Sequence, residues 1–127
     1  MLKIRVLVLS GSPNPADRDG WTEDAVQWLT KAGYEPVQVD DTDHLARELN
    51  EVALVVIGNA NPKTCLEQVP MSHRGKALVL DPTLGDYYRH RDLFKAGFLD
   101  VAAKPYGQKS KFLELIAESL NLLSRRF

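Results

Sequence analysis

The sequence predicts an α/β fold, in which a doubly wound, parallel, five-stranded sheet with strand order 2-1-3-4-5 carries helices on both faces. Apolar runs of strand length alternate with segments of helical period, which is typical of repeated βα units. Residues 52–57 are apolar throughout, as expected of a central parallel strand that is buried on both faces. The length of 127 residues favours a single domain over residues 1–127.

The first strand and the first helix lie in the N-terminal third of the chain. Residues 4–9 form the strand, because they end in consecutive apolar side chains. Thr22 is the predicted N-cap of the helix, and acidic residues follow it in the first turn, where they favour the helix dipole. The helix ends at Gly33. Its apolar stripe consists of Ala25, Trp28, Leu29 and Ala32.

A second strand and a short helix precede the central strand. Residues 34–39 form the second strand, and Pro36 places it at an edge of the sheet, because proline cannot donate a backbone hydrogen bond. Asp41 or Thr42 opens the short helix, since either side chain can accept a backbone N–H there. The central strand at residues 52–57 follows.

The C-terminal half continues the alternation. A brief helix at residues 64–68 precedes the fourth strand at residues 77–80. A helix rich in polar and aromatic residues spans residues 86–96, and the fifth strand occupies residues 98–102. The last helix covers residues 110–124, where apolar side chains recur on one face.

Composition and charge exclude several classes of protein. The chain is 44% hydrophobic and 26% charged, as folded domains are, and its net charge of −1 provides no basic field for nucleic acid or an anionic membrane. No apolar run approaches the roughly 20 residues that cross a bilayer. The single cysteine, Cys65, excludes an internal disulfide, so we expect a cytoplasmic location. The histidines, His44, His73 and His90, show no metal-ligand spacing.

Ligands of such a sheet collect at the carboxyl ends of its central strands. One stretch near that edge, residues 95–105, reads Lys-Ala-Gly-Phe-Leu-Asp-Val-Ala-Ala-Lys-Pro. It resembles the Ala-Gly, Asp, Lys-Pro signature of the receiver domains of two-component response regulators, with every interval preserved. The resemblance extends over the whole chain in element order. It implies a flavodoxin-like fold, a role in signal transduction and a cis peptide bond before Pro105.

The resemblance also implies the positions of a phosphorylation pocket. A phosphorylated receiver uses two acidic residues to hold Mg²⁺, an aspartate to accept phosphate, a serine or threonine, and a lysine. Carboxylates are required because Mg²⁺ prefers hard oxygen ligands and the nucleophile is an aspartate oxygen. Matched strand by strand, these positions are, in the same order, Ser10 and Gly11, Gly58, Asp81, and Lys104.

Most of these positions lack the required chemistry. Glycine cannot accept a phosphoryl group, and Ser10 and Gly11 cannot replace carboxylates toward Mg²⁺. The resemblance therefore implies an atypical receiver, or pseudo-receiver, that is not an enzyme and uses no metal or other cofactor. Since Lys104 could reach Asp81, we hypothesise an ion pair between them in which a fixed carboxylate takes the place of the phosphate.

Partner binding is expected on the helix that begins with Tyr-Tyr-Arg-His-Arg at residues 87–91. Successive helical residues point in different directions, so not all of these side chains can be buried, and tyrosine and arginine dominate binding hot spots. The corresponding surface of receivers, with the last strand and helix, is their usual docking and dimerisation face. The expected partner is a signalling protein or a second copy. The predicted interface residues are Tyr87, Tyr88, Arg91, Lys95 and Val101.

Two alternative interpretations stay open. Residues 10–13, Ser-Gly-Ser-Pro, resemble the phosphate loop of flavodoxin-like FMN reductases, in which hydroxyls and a helix N-terminus bind the FMN phosphate. Asp17 and Asp19 oppose that interpretation, because they lie where an anion would bind. The other alternative is a regulatory receiver domain excised from a larger kinase or transcription regulator.

Overall fold

Five parallel strands form a sheet in the order β2-β1-β3-β4-β5, so the predicted fold class and strand order are confirmed. The structure is a computed structural model that describes residues 2–83 and 87–126, with only the backbone described at residues 87 and 126. The strands are β1 (Arg5–Leu9), β2 (Glu35–Val37), β3 (Leu54–Ile57), β4 (Ala77–Asp81) and β5 (Asp100–Ala103). As predicted, Pro36 lies in an edge strand and β3 is central.

Helices cover both faces of the sheet. In the described part of the chain they are α1 (Gly20–Lys31), α2 (Thr42–Glu51), α3 (Pro62–Gln68), α4 (Met71–Arg74), α5 (Tyr87–Lys95) and α6 (Lys109–Arg126). Helix α4 was not predicted, and the predicted first residue of α5, Asp86, lies outside the described residues. None of the helices in residues 2–83 and 87–126 combines the length and the apolar character needed to span a bilayer.

The N-cap of α1 differs from the prediction. Asp19, and not Thr22, occupies that position, and its carboxylate accepts the backbone N–H and the hydroxyl of Thr22, each at 2.8 Å. The carboxylate thus satisfies a free amide of the first turn, while Thr22 is buried. The prediction for α2 is confirmed, because Asp41 caps it.

The core has two halves, one on each face of the sheet. Alternation along each strand sends neighbouring side chains to opposite faces. Leu7, Ile57 and Val79 pack on the face covered by α2, α3 and α5, whereas Val8, Val56 and Leu80 pack on the face covered by α1 and α6. The same alternation continues past the strand ends and determines which way the residues of the site point.

Candidate functional site

The five positions of the predicted pocket lie at one edge of the sheet. Ser10 and Gly11 follow β1, Gly58 follows β3, Asp81 ends β4, and Lys104 follows β5. Parallel register brings these strand ends together: Leu9 pairs with Ile57, and Asp81 pairs with Ala103. The side chains nevertheless separate into two groups on opposite faces.

Trp21 fills the space above Gly58. A Cβ atom added at Gly58 would lie 2.6 and 2.7 Å from two carbons of the Trp21 ring, closer than van der Waals contact allows. Trp21 belongs to the core on the α1 and α6 face and is 7% exposed. The direction in which a phosphate-accepting side chain would project is therefore occupied by an indole ring.

Lys104 contacts both Gly58 and Trp21. Its Nζ donates a hydrogen bond to the Gly58 carbonyl at 2.8 Å and lies 4.5 Å from the ring centroid of Trp21. Its distance to the ring centroid of Tyr106 is 5.2 Å. Burial lowers the pKa of Lys104, while the nearby carboxylate of Asp19 partly opposes that shift. The ammonium group is hydrogen-bonded to a carbonyl, lies near two aromatic rings and is attracted by the Asp19 carboxylate.

Asp81 lies on the other face and has different partners. Its side chain has no exposed surface. Oδ1 accepts the Thr83 amide at 2.9 Å and the Thr83 hydroxyl at 2.8 Å, and Oδ2 lies 2.6 Å from Nε2 of His90 on α5. Burial acts to raise the pKa of Asp81, but the hydrogen bonds from Thr83 and His90 outweigh it, and the pKa is lowered.

The hypothesised ion pair between Asp81 and Lys104 is therefore wrong. Both residues are described, and their side chains form no ion pair with each other. Asp81 continues the row of Val79 on the α5 face, whereas Lys104 continues the row of Ala102 on the α1 and α6 face. Only their backbones meet, where the Lys104 amide donates to the Asp81 carbonyl at 2.8 Å.

The expected cis peptide bond before Pro105 is also wrong. The described part of the chain contains no cis peptide bond, so Lys104–Pro105 is trans. The trans isomer is the favoured one for an X–Pro bond. In this form the loop enters α6 through two turns: the Tyr106 amide donates to the Lys104 carbonyl, and the Gln108 amide donates to the Pro105 carbonyl.

The loop after β1 offers no ligands for Mg²⁺ at the predicted positions. Gly11 has a φ of +87°, and a Cβ atom there would lie 2.3 Å from the Asn59 Cβ, so the conformation excludes a carboxylate side chain. The Ser10 hydroxyl oxygen accepts the Ser12 amide at 3.2 Å. Among the residues that the structure describes, no group of three or more His, Cys, Asp or Glu side chains is arranged to hold a metal ion.

The geometry of this loop also disfavours the flavin alternative. Asp19 already caps the N-terminus of α1, where an FMN phosphate would have to bind. Asp17 accepts a hydrogen bond from the Ser12 hydroxyl. A surface recess lies beside these groups, and Asp17, Arg18 and Asp19 line it. The two carboxylates repel a phosphate, and the Arg18 guanidinium is paired with Asp40 at 3.4 Å.

The predicted interface residues fall into two sets. Tyr88, Arg91 and Lys95 follow one another at helical spacing and form an exposed stripe on α5, and the Arg91 guanidinium lies 5.1 Å from the Tyr88 ring centroid. Val101 is half-buried in β5 and packs against the core under α5. The side chain of Tyr87 lies outside the described residues. Sequence reasoning missed Phe94, which is 48% exposed on the same helix.

Sequence reasoning also missed Trp21, Thr83 and His90 as residues of the site. His90 was considered as a metal ligand and as a member of the cluster at residues 87–91, but not as a partner of Asp81. The alternation of side chains along the strands could have predicted that Asp81 and Lys104 lie apart, because it places Asp81 under α5 and Lys104 beside α1. The contact of Trp21 with Gly58 had no such signal, since it depends on how α1 packs over the sheet.

Comparisons with known proteins show what the fold is similar to. No family model and no curated protein matches the sequence. A response regulator from Thermotoga maritima aligns with a TM-score of 0.68 and 19% identity, covering 94% of this chain and 99% of that one. A Chloroflexus aurantiacus J-10-fl protein described as a response regulator aligns with a TM-score of 0.65 and 18% identity, covering 94% and 99%.

A third solved structure is the signal receiver domain of a Vibrio parahaemolyticus protein described as a Luxo repressor. It aligns with a TM-score of 0.66 and 15% identity, covering 94% of this chain and 92% of that one. Identities this low show the fold and not the activity. The chain thus has the flavodoxin-like fold found in response-regulator receiver domains.

Proposed function

We propose that this chain is a receiver-like signalling module that works without phosphorylation and acts by binding a protein partner. The partner is another signalling protein or a second copy of the chain. The observation that carries the proposal is the closed site: the Trp21 ring occupies the space above Gly58, and Lys104 donates to the Gly58 carbonyl. In this role the chain is not an enzyme.

Three features of the site support phosphorylation independence. Gly58 has no side chain and therefore no nucleophilic oxygen, whereas phosphoryl transfer to a receiver needs a carboxylate nucleophile. Gly11 has no room for a metal-binding side chain. The ammonium of Lys104 is already bound within the chain, so it is not free to contact a phosphoryl group.

The exposed stripe of α5 supports the binding role. Tyr88 is 67% exposed and Phe94 is 48% exposed, and the basic groups of Arg91 and Lys95 lie on the same helix. Large aromatic side chains beside arginine are the composition of binding hot spots. With the site at the strand ends closed, this surface is where we place the partner.

Acetyl phosphate tests the first half of the proposal. Incubation with acetyl phosphate and Mg²⁺, followed by intact-mass measurement, should leave the mass unchanged, while a phosphorylatable receiver treated in parallel gains one phosphoryl group. A stoichiometric gain of phosphate on this chain would contradict phosphorylation independence.

Paired variants test the second half. Tyr88→Ala/Arg91→Ala changes the stripe, and Gln27→Ala/Lys31→Ala changes exposed residues of α1 as a matched control. A protein retained from native cell extract by the unmodified chain, or self-association measured by sedimentation, should be lost with the first variant and kept with the second. Equal binding by all three chains would contradict the assignment of this surface.

A further inference from the structure

The contact between Asp81 and His90 joins the end of β4 to α5. The Asp81 side chain has no exposed surface, whereas the His90 side chain is 25% exposed, so water and protons reach the imidazole but not the carboxylate. The 2.6 Å separation of Oδ2 and Nε2 is that of a strong hydrogen bond. This contact is independent of the closed site, which lies on the opposite face of the sheet.

The surroundings of His90 make Asp81 its ionic partner. From β4 comes the Asp81 carboxylate, and the loop after it contributes the uncharged Thr83 hydroxyl, which donates to the same carboxylate. Helix α3 packs against α5, and burial raises the pKa of its Cys65 thiol to about 11, so this thiol stays neutral. After β5, Lys104 directs its Nζ to Gly58.

The other charged groups lie on α5 itself or before it. The charged neighbours of His90 on its own helix are Arg89, Arg91, Asp92 and Lys95. Asp86 lies outside the described residues. Within the described part of the chain, the ion-pair partner that the structure gives Asp81 is His90.

The strength of this contact depends on one proton. A protonated imidazole neutralises the buried carboxylate, whereas a neutral imidazole with its hydrogen on Nε2 donates a hydrogen bond but leaves the buried charge uncompensated. We propose that Asp81 and His90 form a proton-operated latch, which holds the first turns of α5 against the end of β4 when His90 is protonated and loosens them when it is not.

The latch concerns the position of α5 and does not rest on the proposed function. It would operate whether or not a partner binds the exposed stripe of α5. Its failure would likewise leave the closed site and the lack of phosphorylation untouched.

Nuclear magnetic resonance on the intact chain tests the latch. Across a pH series, the backbone amide signals of α5 should shift in parallel with the signals of the His90 imidazole. Hydrogen exchange in the first turns of α5, corrected for intrinsic rates, should be about fivefold slower at the acid end, which is the difference expected between a charged and a neutral hydrogen bond. The unmodified chain alone decides the question, so no variant has to fold.

Two variants and a matched control sharpen the test. His90→Gln keeps a hydrogen-bond donor but cannot titrate, so the pH dependence of the α5 amides should vanish. Asp81→Asn should also remove the pH dependence of exchange in α5, because the carboxylate that His90 contacts is gone. His44→Gln is the matched control. It changes the exposed pair between His44 of α2 and Asp41, and it should leave α5 unaffected. Exchange in α5 that is independent of pH, or a pH dependence that survives His90→Gln, would overturn the latch.

Discussion

At the residue scale, two glycines and one tryptophan determine what this site can hold. Gly58 and Gly11 are positions where a side chain would collide with Trp21 and Asn59 respectively. In each case the missing side chain is one that metal or phosphate chemistry would need. The absence of those side chains and the packing of Trp21 and Asn59 against the two glycines therefore depend on the same positions.

Gly58→Ala tests the packing of Trp21 directly. The added methyl group meets the indole ring at 2.6 Å, so we expect a loss of about 1–3 kcal/mol in the free energy of unfolding, measured by urea denaturation. Gly20→Ala is the matched control, because a Cβ atom there meets nothing within 4 Å. If Gly58→Ala is as stable as the unmodified protein, Trp21 does not fill the site.

Asp81 predicts a specific response to acid. Burial opposes its ionisation, but the Thr83 and His90 hydrogen bonds prevail and hold its pKa below the usual carboxyl value of about 3.9. Its ionised form therefore stabilises the folded state above that value, and the contribution is lost as the pH falls through the lowered pKa. Asp81→Asn should be less stable than the unmodified chain at neutral pH, by about 1–3 kcal/mol.

The acid branch of the stability curve checks this assignment. Urea unfolding between about pH 5 and pH 2 should show a shallower loss of stability in Asp81→Asn than in the unmodified chain. Asp24→Asn, at an exposed position of α1, should keep the unmodified slope. Identical slopes in all three proteins would show that Asp81 contributes nothing through its charge.

At the element scale, α1 connects the cap of a helix with the closure of the site. Asp19 caps the helix, its carboxylate attracts Lys104, and Trp21 lies one turn or less away on the same helix. The start of α1 thus determines where the indole ring sits above Gly58. Asp19→Ala should lower the free energy of unfolding by about 1 kcal/mol, with Asp19→Asn restoring most of the loss.

Thermal and urea unfolding of these two variants distinguishes the loss of the N-cap hydrogen bonds from the loss of a negative charge. Asp24→Ala, which removes an exposed charge from the same helix, should change the stability by less than Asp19→Ala does. An unchanged stability for Asp19→Ala, or an equal loss for Asp19→Asn, would contradict the capping role.

Helix positions could be predicted from the sequence better than helix ends or very short helices. The stripe of apolar residues located α1, but both Asp19 and Thr22 are good caps, and the choice depends on which residue is buried under the sheet. Helix α4 has four residues, fewer than two helical turns, so it presents no apolar period to detect.

At the scale of the whole molecule, the order of the strands could be predicted because strict alternation of strands and helices is typical of a doubly wound sheet, and two strands carried a signal of their position. Pro36 marked one edge, and the fully apolar run that forms β3 marked the centre. The contents of the site were harder to predict, because Trp21, Gly58 and Lys104 are distant in sequence and meet only through the packing of α1. The resemblance to receiver domains indicated which side chains the site lacks, but it did not indicate that Trp21 and Lys104 fill the space.

The most direct test of the closed site is a titration with beryllofluoride, a phosphoryl analogue, in the presence of Mg²⁺. Backbone amide spectra of the intact chain are recorded at increasing analogue concentration, with a phosphorylatable receiver as the positive control. We predict no saturable shift at the amides of Gly58 and Lys104, because the Trp21 ring and an internally bound ammonium occupy the site. A saturable, Mg²⁺-dependent shift at those amides would show that the site opens to a phosphoryl group and would contradict the central claim.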